Sequence, residues 1–324
     1  MSLRLSLRRL CPAALVALVL AAFASPPAFA ADRVRVGVPA GRAFMFAAID
    51  VGNQAGIFKK LGLDVEKVDF AGGAKLIQGM ASNSVDAAVT GSSDVKFLLK
   101  GIPEKIIAET AGPPVDLALI VRDDGSITSP QQLRGQKIGV TTAGSLTEWL
   151  ATRFAEHEGW GAKGVETVAV GGIQGEISAL LTKQVAAIVM PTEIGLSLQE
   201  KGKAKILTDY SKVLPHWITH FIFATDTAIK AKPQALKKFV AGWFETVAYM
   251  RSHKAETIKI VTAVMKVSPK IATEAYDLEM PAITREGRID PATFHAFEES
   301  ILPPALLAKA EKAKLIDPAF LPKS

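Results

Sequence analysis

The chain has 324 residues, 49% of them hydrophobic, and a formal net charge of +6 from 38 Lys and Arg against 32 Asp and Glu. That length suits about two domains, and no single-sign block is long enough to bind nucleic acid. One cysteine, Cys11, excludes a disulfide framework and a thiolate metal cluster.

Arg4, Arg8 and Arg9 precede an apolar stretch from Pro12 to Ala24, and Ala28-Phe29-Ala30 follows it. A basic head, a short apolar core and a small-x-small triplet read as a secretory signal peptide over residues 1–30, removed so that the mature chain begins near Ala31. Cys11 leaves with it, and the net charge falls to +3. The apolar core is too short to span a bilayer, and no later run is long enough. The expected location is the periplasm.

Val34 to Val38 predicts the first strand, followed by a loop from Pro39 to Ala43 and a helix through Ile49 and Val51. Gly56 and Gly62 bracket Ile57-Phe58-Lys59-Lys60-Leu61 and stop the helix where a C-cap is wanted. Val65 to Phe70 is a second strand and Ala74 to Ala81 a helix. Val85 to Thr90 is a third strand, with a helix from Ser93 to Leu99. Lys105 to Glu109 and Leu117 to Val121 are two more strands around Gly112-Pro113-Pro114.

The pattern then repeats. Ser129 to Gly135 forms a short helical turn ended by glycine. Lys137 to Val140 is a strand, Ser145 to Glu158 a helix, and Val165 to Val170 a strand. Glu176 to Thr182 is a helix and Val185 to Met190 a strand. Lys201 to Lys205 reads as the solvated end of a helix, and Ile218 to Ala224 as a strand returning to the first half. The remainder is helical, with Pro233, Pro269 and Pro291 at helix starts and Ser268 and Asp290 as N-caps. Each apolar run ends in a loop of Gly, Ser, Thr or Pro. Open parallel α/β sheets bind ligands at that edge. Two such halves facing one another predict an α/β receptor with a cleft.

The cleft residues follow from the loops. Thr141 to Thr147 lies between a strand and a helix, whose first-turn N–H groups lack intrahelical partners and favour negative charge. Thr142, Ser145 and Thr147 either add donors to an anion seat or merely cap the helix. Thr90, Gly91 and Ser92 form the matching loop of the first half, with Ser93 or Asp94 as a plain cap. Gly72 belongs to a turn first and to the ligand second. Arg42 could clamp a carboxylate or sulfonate, or stand free on the surface. Phe44 or Phe46 could wall an apolar body, one of them being core. Thr192 and Glu193 end the last strand of the second half, where Glu193 accepts from a ligand or sits in a helix's first turn. Trp217 is a lid or hinge aromatic. His216 and His220 lack a carboxylate in any metal-binding pattern. No phosphate loop, nucleophile elbow or metalloprotease motif is present, so no catalytic residue and no cofactor is expected.

Val34-Arg35-Val36-Gly37-Val38 with Gly56-Ile57-Phe58-Lys59-Lys60-Leu61-Gly62-Leu63-Asp64-Val65 resembles the opening of periplasmic solute-binding proteins of nitrate, sulfonate and taurine importers. Ser84 to Gly91 resembles their third-strand motif, and Leu133 to Val140 the entry to their second lobe. The resemblance implies a type II periplasmic-binding-protein fold: two doubly wound α/β lobes joined by a two-segment hinge. Residues 31–122 and 221–324 would form lobe I and residues 123–220 lobe II. It also implies a monomer that delivers a small organic anion, a sulfonate or carboxylate with or without an aromatic body, to an ABC permease and its ATPase subunit. Two other readings are a sensing module for a membrane kinase and a biosynthetic enzyme like the thiamin-pyrimidine synthases. The latter need a histidine- and cysteine-rich site that the mature chain lacks. The chain departs from many relatives at Met190-Pro191-Thr192-Glu193, where they carry an aromatic-Asp-Pro run.

Overall fold

A computed structural model describes residues 31–322; the expected signal peptide lies outside them. The strands are β1 (Asp32–Val38), β2 (Leu63–Asp69), β3 (Ala87–Gly91), β4 (Glu104–Ala111), β5 (Leu117–Arg122), β6 (Lys137–Val140), β7 (Glu166–Ala169), β8 (Ala187–Pro191), β9 (Ala204–Asp209) and β10 (His220–Thr225). The helices of the first half are α1 (Ala48–Gln54), α2 (Ile57–Lys60), α3 (Gly73–Ala81) and α4 (Val95–Leu98). Those of the second are α5 (Leu146–His157), α6 (Ile173–Leu181) and α7 (Thr192–Glu200). The last six are α8 (Asp226–Ala231), α9 (Pro233–Ser252), α10 (Lys254–Met265), α11 (Pro269–Glu279), α12 (Pro291–Ile301) and α13 (Pro304–Ala313).

Two five-stranded sheets have the orders β2-β1-β3-β10-β4 and β7-β6-β8-β5-β9. In each, three strands run parallel and a fourth enters antiparallel beside the third: β10 against β3, and β5 against β8. The two sheets are thus the same unit built twice, as the repeated sequence pattern predicts, and the fold is the type II binding-protein fold. Each half receives its fourth strand from the other half's stretch of chain, so the chain crosses between sheets twice, through residues 112–116 and 210–219.

One strand lies elsewhere than expected. Leu117–Arg122, on the first-lobe side of the sequence boundary at 122, pairs with β8 on one edge and β9 on the other. Residues 117 to 121 are buried on both faces, which fits a central strand in either sheet, and sequence carries no pairing register. Lys201 to Lys205 also differs: Lys203 ends a turn, and Ala204–Asp209 is the edge strand β9. Lysines suit an edge, where they block pairing with other chains.

Packing follows the apolar pattern. Val34, Val36 and Val38 alternate into a core shared with α1, α9 and α10. Phe58 on α2 slots between α1 and α9 and stacks on Phe239 at 5.9 Å. Gly52 and Gly242 make the room: a Cβ on either would stand 2.4 or 2.8 Å from the Phe58 ring. A second core runs from Leu76, Ala88 and Val95 through Leu146 to Leu119, Val140 and Phe154, so apolar packing is continuous between the two sheets. The expected caps are present. The Ser268 hydroxyl accepts from the Ile271 N–H, and the Asp290 carboxylate from the Thr293 N–H at 2.8 Å.

Candidate ligand cleft

The carboxyl ends of both sets of parallel strands face one cavity of about 50 Å³. From the first sheet it is lined by Pro39 and Ala40 after β1, Gly73 opening α3, and Thr90, Gly91 and Asp94 at and after the end of β3. From the second come Thr141 after β6, Ser145, Leu146 and Thr147 opening α5, Ile173 opening α6, and Pro191 ending β8. Asp116 from one crossing segment and His220 from the first residue of β10 close the back, with Phe46 beside them. Water needs about 10–15 Å³ by this measure, so the cavity in this state takes a solute of a few heavy atoms; a larger one requires the lobes to part.

The second-sheet wall is donor-rich. Ser145 caps α5, its oxygen accepting from the Glu148 N–H at 3.4 Å. Thr147 Oγ1 lies 3.0 Å from Thr141 Oγ1 and 2.9 Å from Ser145 Oγ, and accepts from the Thr141 N–H. The hydroxyls therefore hold one another at the positive end of a 12-residue helix. The opposite wall carries a carboxylate. Asp94 is 1% exposed. Its Oδ2 accepts from the Thr90 hydroxyl at 2.8 Å, and its Oδ1 has no partner. Burial pushes the Asp94 carboxyl up to about 6, against the hydrogen bond from Thr90 and the charges of Lys96 and His220. His220 Nε2 bonds Asp116 Oδ2 at 2.8 Å, leaving His220 Nδ1 and Asp116 Oδ1 buried without partners. None of the lining residues is Lys or Arg.

The two halves meet closely around the cleft. Thr142 Oγ1 accepts from the Ala74 N–H, in the first turn of α3, at 3.3 Å. Phe44 N–H donates to Glu193 Oε1, on α7, at 2.8 Å. A Cβ on Gly91 would stand 2.7 Å from Leu146 Cβ, and one on Gly172 3.1 Å from Ala71 Cβ. Gly72, at φ +103°, adopts a conformation reserved for glycine, and its missing Cβ would strike Thr142 at 2.9 Å. Gly72 and Gly172 occupy matching places, each just before a nine-residue helix.

Eight of the twelve expected ligand residues do not line the cavity. Arg42 is exposed and stands at an outer rim with Asp69, Gly171 and Gln174. The turn closed by Ala43 N–H to Ala40 C=O points the alanines inward instead. Phe44 is fully buried, edge-on to Tyr276 at 6.1 Å; Phe46 is the cleft aromatic, edge-on to His220 at 5.3 Å. Ser92 turns away and donates to the Ile218 carbonyl at 2.6 Å. Thr192 donates to the Val115 carbonyl at 3.1 Å, tying α7 to a crossing segment. Trp217 stacks on Trp149 at 4.3 Å and donates from Nε1 to Ser300 Oγ at 3.0 Å, outside the cavity. Glu193 sits behind the cleft with Glu279 of α11. Burial raises both carboxyls, and Glu279 is raised further by the neighbouring charges of Glu193 and Asp116. Gly72 and Thr142 lie on the seam between the halves. Thr90, Gly91, Ser145 and Thr147 line the cavity.

Sequence reasoning missed Asp116, placed Thr141 in the cleft loop without a role of its own, took Asp94 for a cap, and weighed His220 only as a metal ligand. Among the described residues no three His, Cys, Asp or Glu side chains stand together as a metal site. The one local signal was Asp94 four residues after Thr90, a spacing that serves a cap equally well.

A family model described as NMT1/THI5 like matches residues 43–257. No curated protein matches the chain. Among solved structures, a protein of Bordetella bronchiseptica RB50 is similar, with 22% identity, 89% of this chain and 95% of its own covered, and a TM-score of 0.75. The alkanesulfonate-binding protein SsuA of Xanthomonas axonopodis pv. citri, bound to MOPS, is 16% identical over 89% of this chain and 99% of its own, with a TM-score of 0.74. The periplasmic nitrate-binding protein NrtA of Synechocystis PCC 6803 is 13% identical over 89% and 86%, with a TM-score of 0.68.

Proposed function

Since this chain belongs to the NMT1/THI5-like family, we propose that it is the exported solute-binding protein of an ABC importer, a monomer without catalytic activity of its own. Residues 1–30 direct export to the periplasm and are removed. Residues 112–116 and 210–219 act as the hinge, and closure over a bound solute favours the state that a permease and its ATPase recognise. A ligand that touches both walls stabilises the closed state by its differential affinity for it.

The observation that carries this reading is a cavity between matching strand ends of two copies of one unit, with hydrogen-bonding groups from both. The second-sheet wall suits the negative end of a small sulfonate or carboxylate. The first-turn N–H groups of α5 and the hydroxyls of Thr141 and Ser145 donate, and charge-assisted hydrogen bonds contribute roughly 1.5–3 kcal/mol each. The similar structures include an alkanesulfonate-binding protein bound to the sulfonate MOPS and a nitrate-binding protein, both named for anions. The small cavity favours a short aliphatic body over an aromatic one.

Isothermal titration of the mature protein with short sulfonates, short carboxylates, nitrate and pyrimidines tests the proposal, with small-angle scattering to follow closure. Micromolar or tighter binding of one class with a reduced radius of gyration supports it. Absence of heat and of thermal shift with every class refutes it.

A further inference from the structure

Several places besides the second-sheet wall of the cleft invite a role. Glu104 and Glu176 are buried carboxyls without partners, one at the start of β4 and one in α6, and neither lines the cavity. Arg42 stands exposed at an outer rim beside Asp69. Asp94 Oδ1 belongs to the ligand cleft, where a Cβ on Gly73 would stand 3.6 Å from both Asp94 carboxylate oxygens and 3.8 Å from Ser145 Cβ. The seam between α7 and α11 goes further than these.

α7 belongs to the second half, with Ile194 and Leu198 in a core with Ile120 and Ile188. α11 belongs to the first, with Ala272 and Ala275 in the core that holds Val34 and Val36. The two helices lie side by side and antiparallel. At one end the Ser268 hydroxyl, which caps α11, donates to Glu200 Oε1 at the end of α7 at 3.2 Å. At the other, Glu193 in the first turn of α7 meets Glu279, the last residue of α11. Glu193 Oε1 also accepts from the Phe44 N–H of the first half at 2.8 Å. Both carboxyls are fully buried, and Glu193 Oε2 and both Glu279 oxygens receive no donor from any other described residue.

Two carboxylates in contact repel, and burial adds to the cost of their charge. A proton on one turns the contact into an O–H···O hydrogen bond. The surroundings supply no other remedy. Asp116, on the adjoining crossing segment, adds negative charge and bonds His220 Nε2 at 2.8 Å. Arg251 donates to the Met280 and Ile283 carbonyls beyond the end of α11, and the Tyr276 hydroxyl to the Met250 carbonyl. Lys254 of α10 turns to the exposed Asp277. On β9, Lys205 pairs with Val121, at the far end of β5 from Asp116, and Asp209 accepts from the Ser211 N–H at 2.8 Å. Burial therefore raises both carboxyls, and the charges of Glu193 and Asp116 raise Glu279 further.

We propose that closing the two halves takes up a proton, which Glu279 and Glu193 share across the seam, so that closure weakens as the medium becomes alkaline. When the halves part, both carboxyls return to water, where an ordinary glutamate is ionised above about pH 4.3, and the proton leaves. Closure is thus fully favoured below that value. Above it the preference falls by about tenfold per pH unit, until the shared proton is itself lost from the closed state. Solute binding, which favours closure, inherits the same dependence. The inference rests on the opening and closing proposed above and adds their regulation.

The test needs no solute. Small-angle scattering of the mature protein follows the radius of gyration from about pH 8 down to about pH 5. NMR exchange of the Phe44 amide, corrected for its intrinsic rate, reports the seam itself. Acidification is expected to contract the protein and to raise Phe44 protection roughly tenfold or more. Glu279→Gln puts a fixed N–H donor where the proton stood, and Glu193→Gln keeps an acceptor for the Phe44 N–H. Each should make both readouts independent of pH over this range, and if one variant does not fold, the other decides alone. A dependence that belongs to Asp94, Asp116 or His220 survives in these variants. A radius and a protection that do not change with pH in the parent, or a change that persists in a folded variant, overturn the shared proton. The receptor then stands or falls on its own titrations.

Discussion

Replacing Gly91 by alanine should hold the two lobes apart. Gly91 ends β3 with φ −64° and ψ 139°, a conformation any residue adopts, so the substitution does not strain its own strand. The new Cβ meets the other lobe instead, at 2.7 Å from Leu146 Cβ and 2.9 Å from Leu146 Cδ2. The Cδ2 atom can swing away by a rotamer change. The Leu146 Cβ is fixed to the first residue of α5 and moves only with the helix. Carbon atoms rest at about 3.5–4.0 Å, so the jaws must part by roughly 1 Å at this point. Overpacking of this size costs roughly 1–3 kcal/mol, and the cost falls on the closed state alone. Affinity for the solute should therefore drop roughly 5- to 150-fold. The radius of gyration by small-angle scattering should stay at its open value at solute concentrations that close the parent protein. The lobes are otherwise intact, so the melting midpoint without solute should stay the same or fall only slightly. If Gly91→Ala binds and contracts like the parent, the lobes do not meet at Gly91 and Leu146 when they close.

Other consequences are as definite. Burial pushes the Glu104 carboxyl up to about 9, aided by Asp94 and Asp226, so between about pH 4.5 and 9 the folded chain holds a proton that the unfolded chain has lost. Stability falls with rising pH over that window, by about 3 kcal/mol at pH 7. Glu104→Gln should recover up to that amount in urea melts at pH 7 and nothing at pH 4; equal gains at both values would contradict the burial argument. Asp86 is different. Burial alone would raise its carboxyl, but Arg35 at 2.8 Å and Lys232 at 3.0 Å hold it below the usual range. Asp86→Asn should cost ~1–3 kcal/mol above about pH 4, with the cost vanishing as acid titrates the folded carboxylate; a pH-independent loss would point to packing instead. Gly73→Val places its branch between Asp94 and Ser145, and should abolish solute binding while leaving the melting midpoint within a few degrees. Retained affinity would move the solute elsewhere in the cleft.

Much of this architecture is written locally. Val34, Val36 and Val38, the run from Val85 to Thr90, and its counterpart from Val185 to Met190 announce buried strands by composition and period alone. Gly72 and Gly172 announce matching turns, and Ser268 and Asp290 their helices, because caps and positive φ angles are set by a residue and its nearest neighbours. Periodicity says that a residue is buried but not what it is buried against. Tertiary structure alone therefore sends Leu117–Arg122 into the second sheet and β10 into the first, puts Phe46 rather than Phe44 at the cleft, and leaves Arg42 outside. Asp94, Asp116 and His220 are separated by up to 126 positions in sequence. Only the exchange of strands between the two lobes brings their unpartnered polar atoms to one cavity.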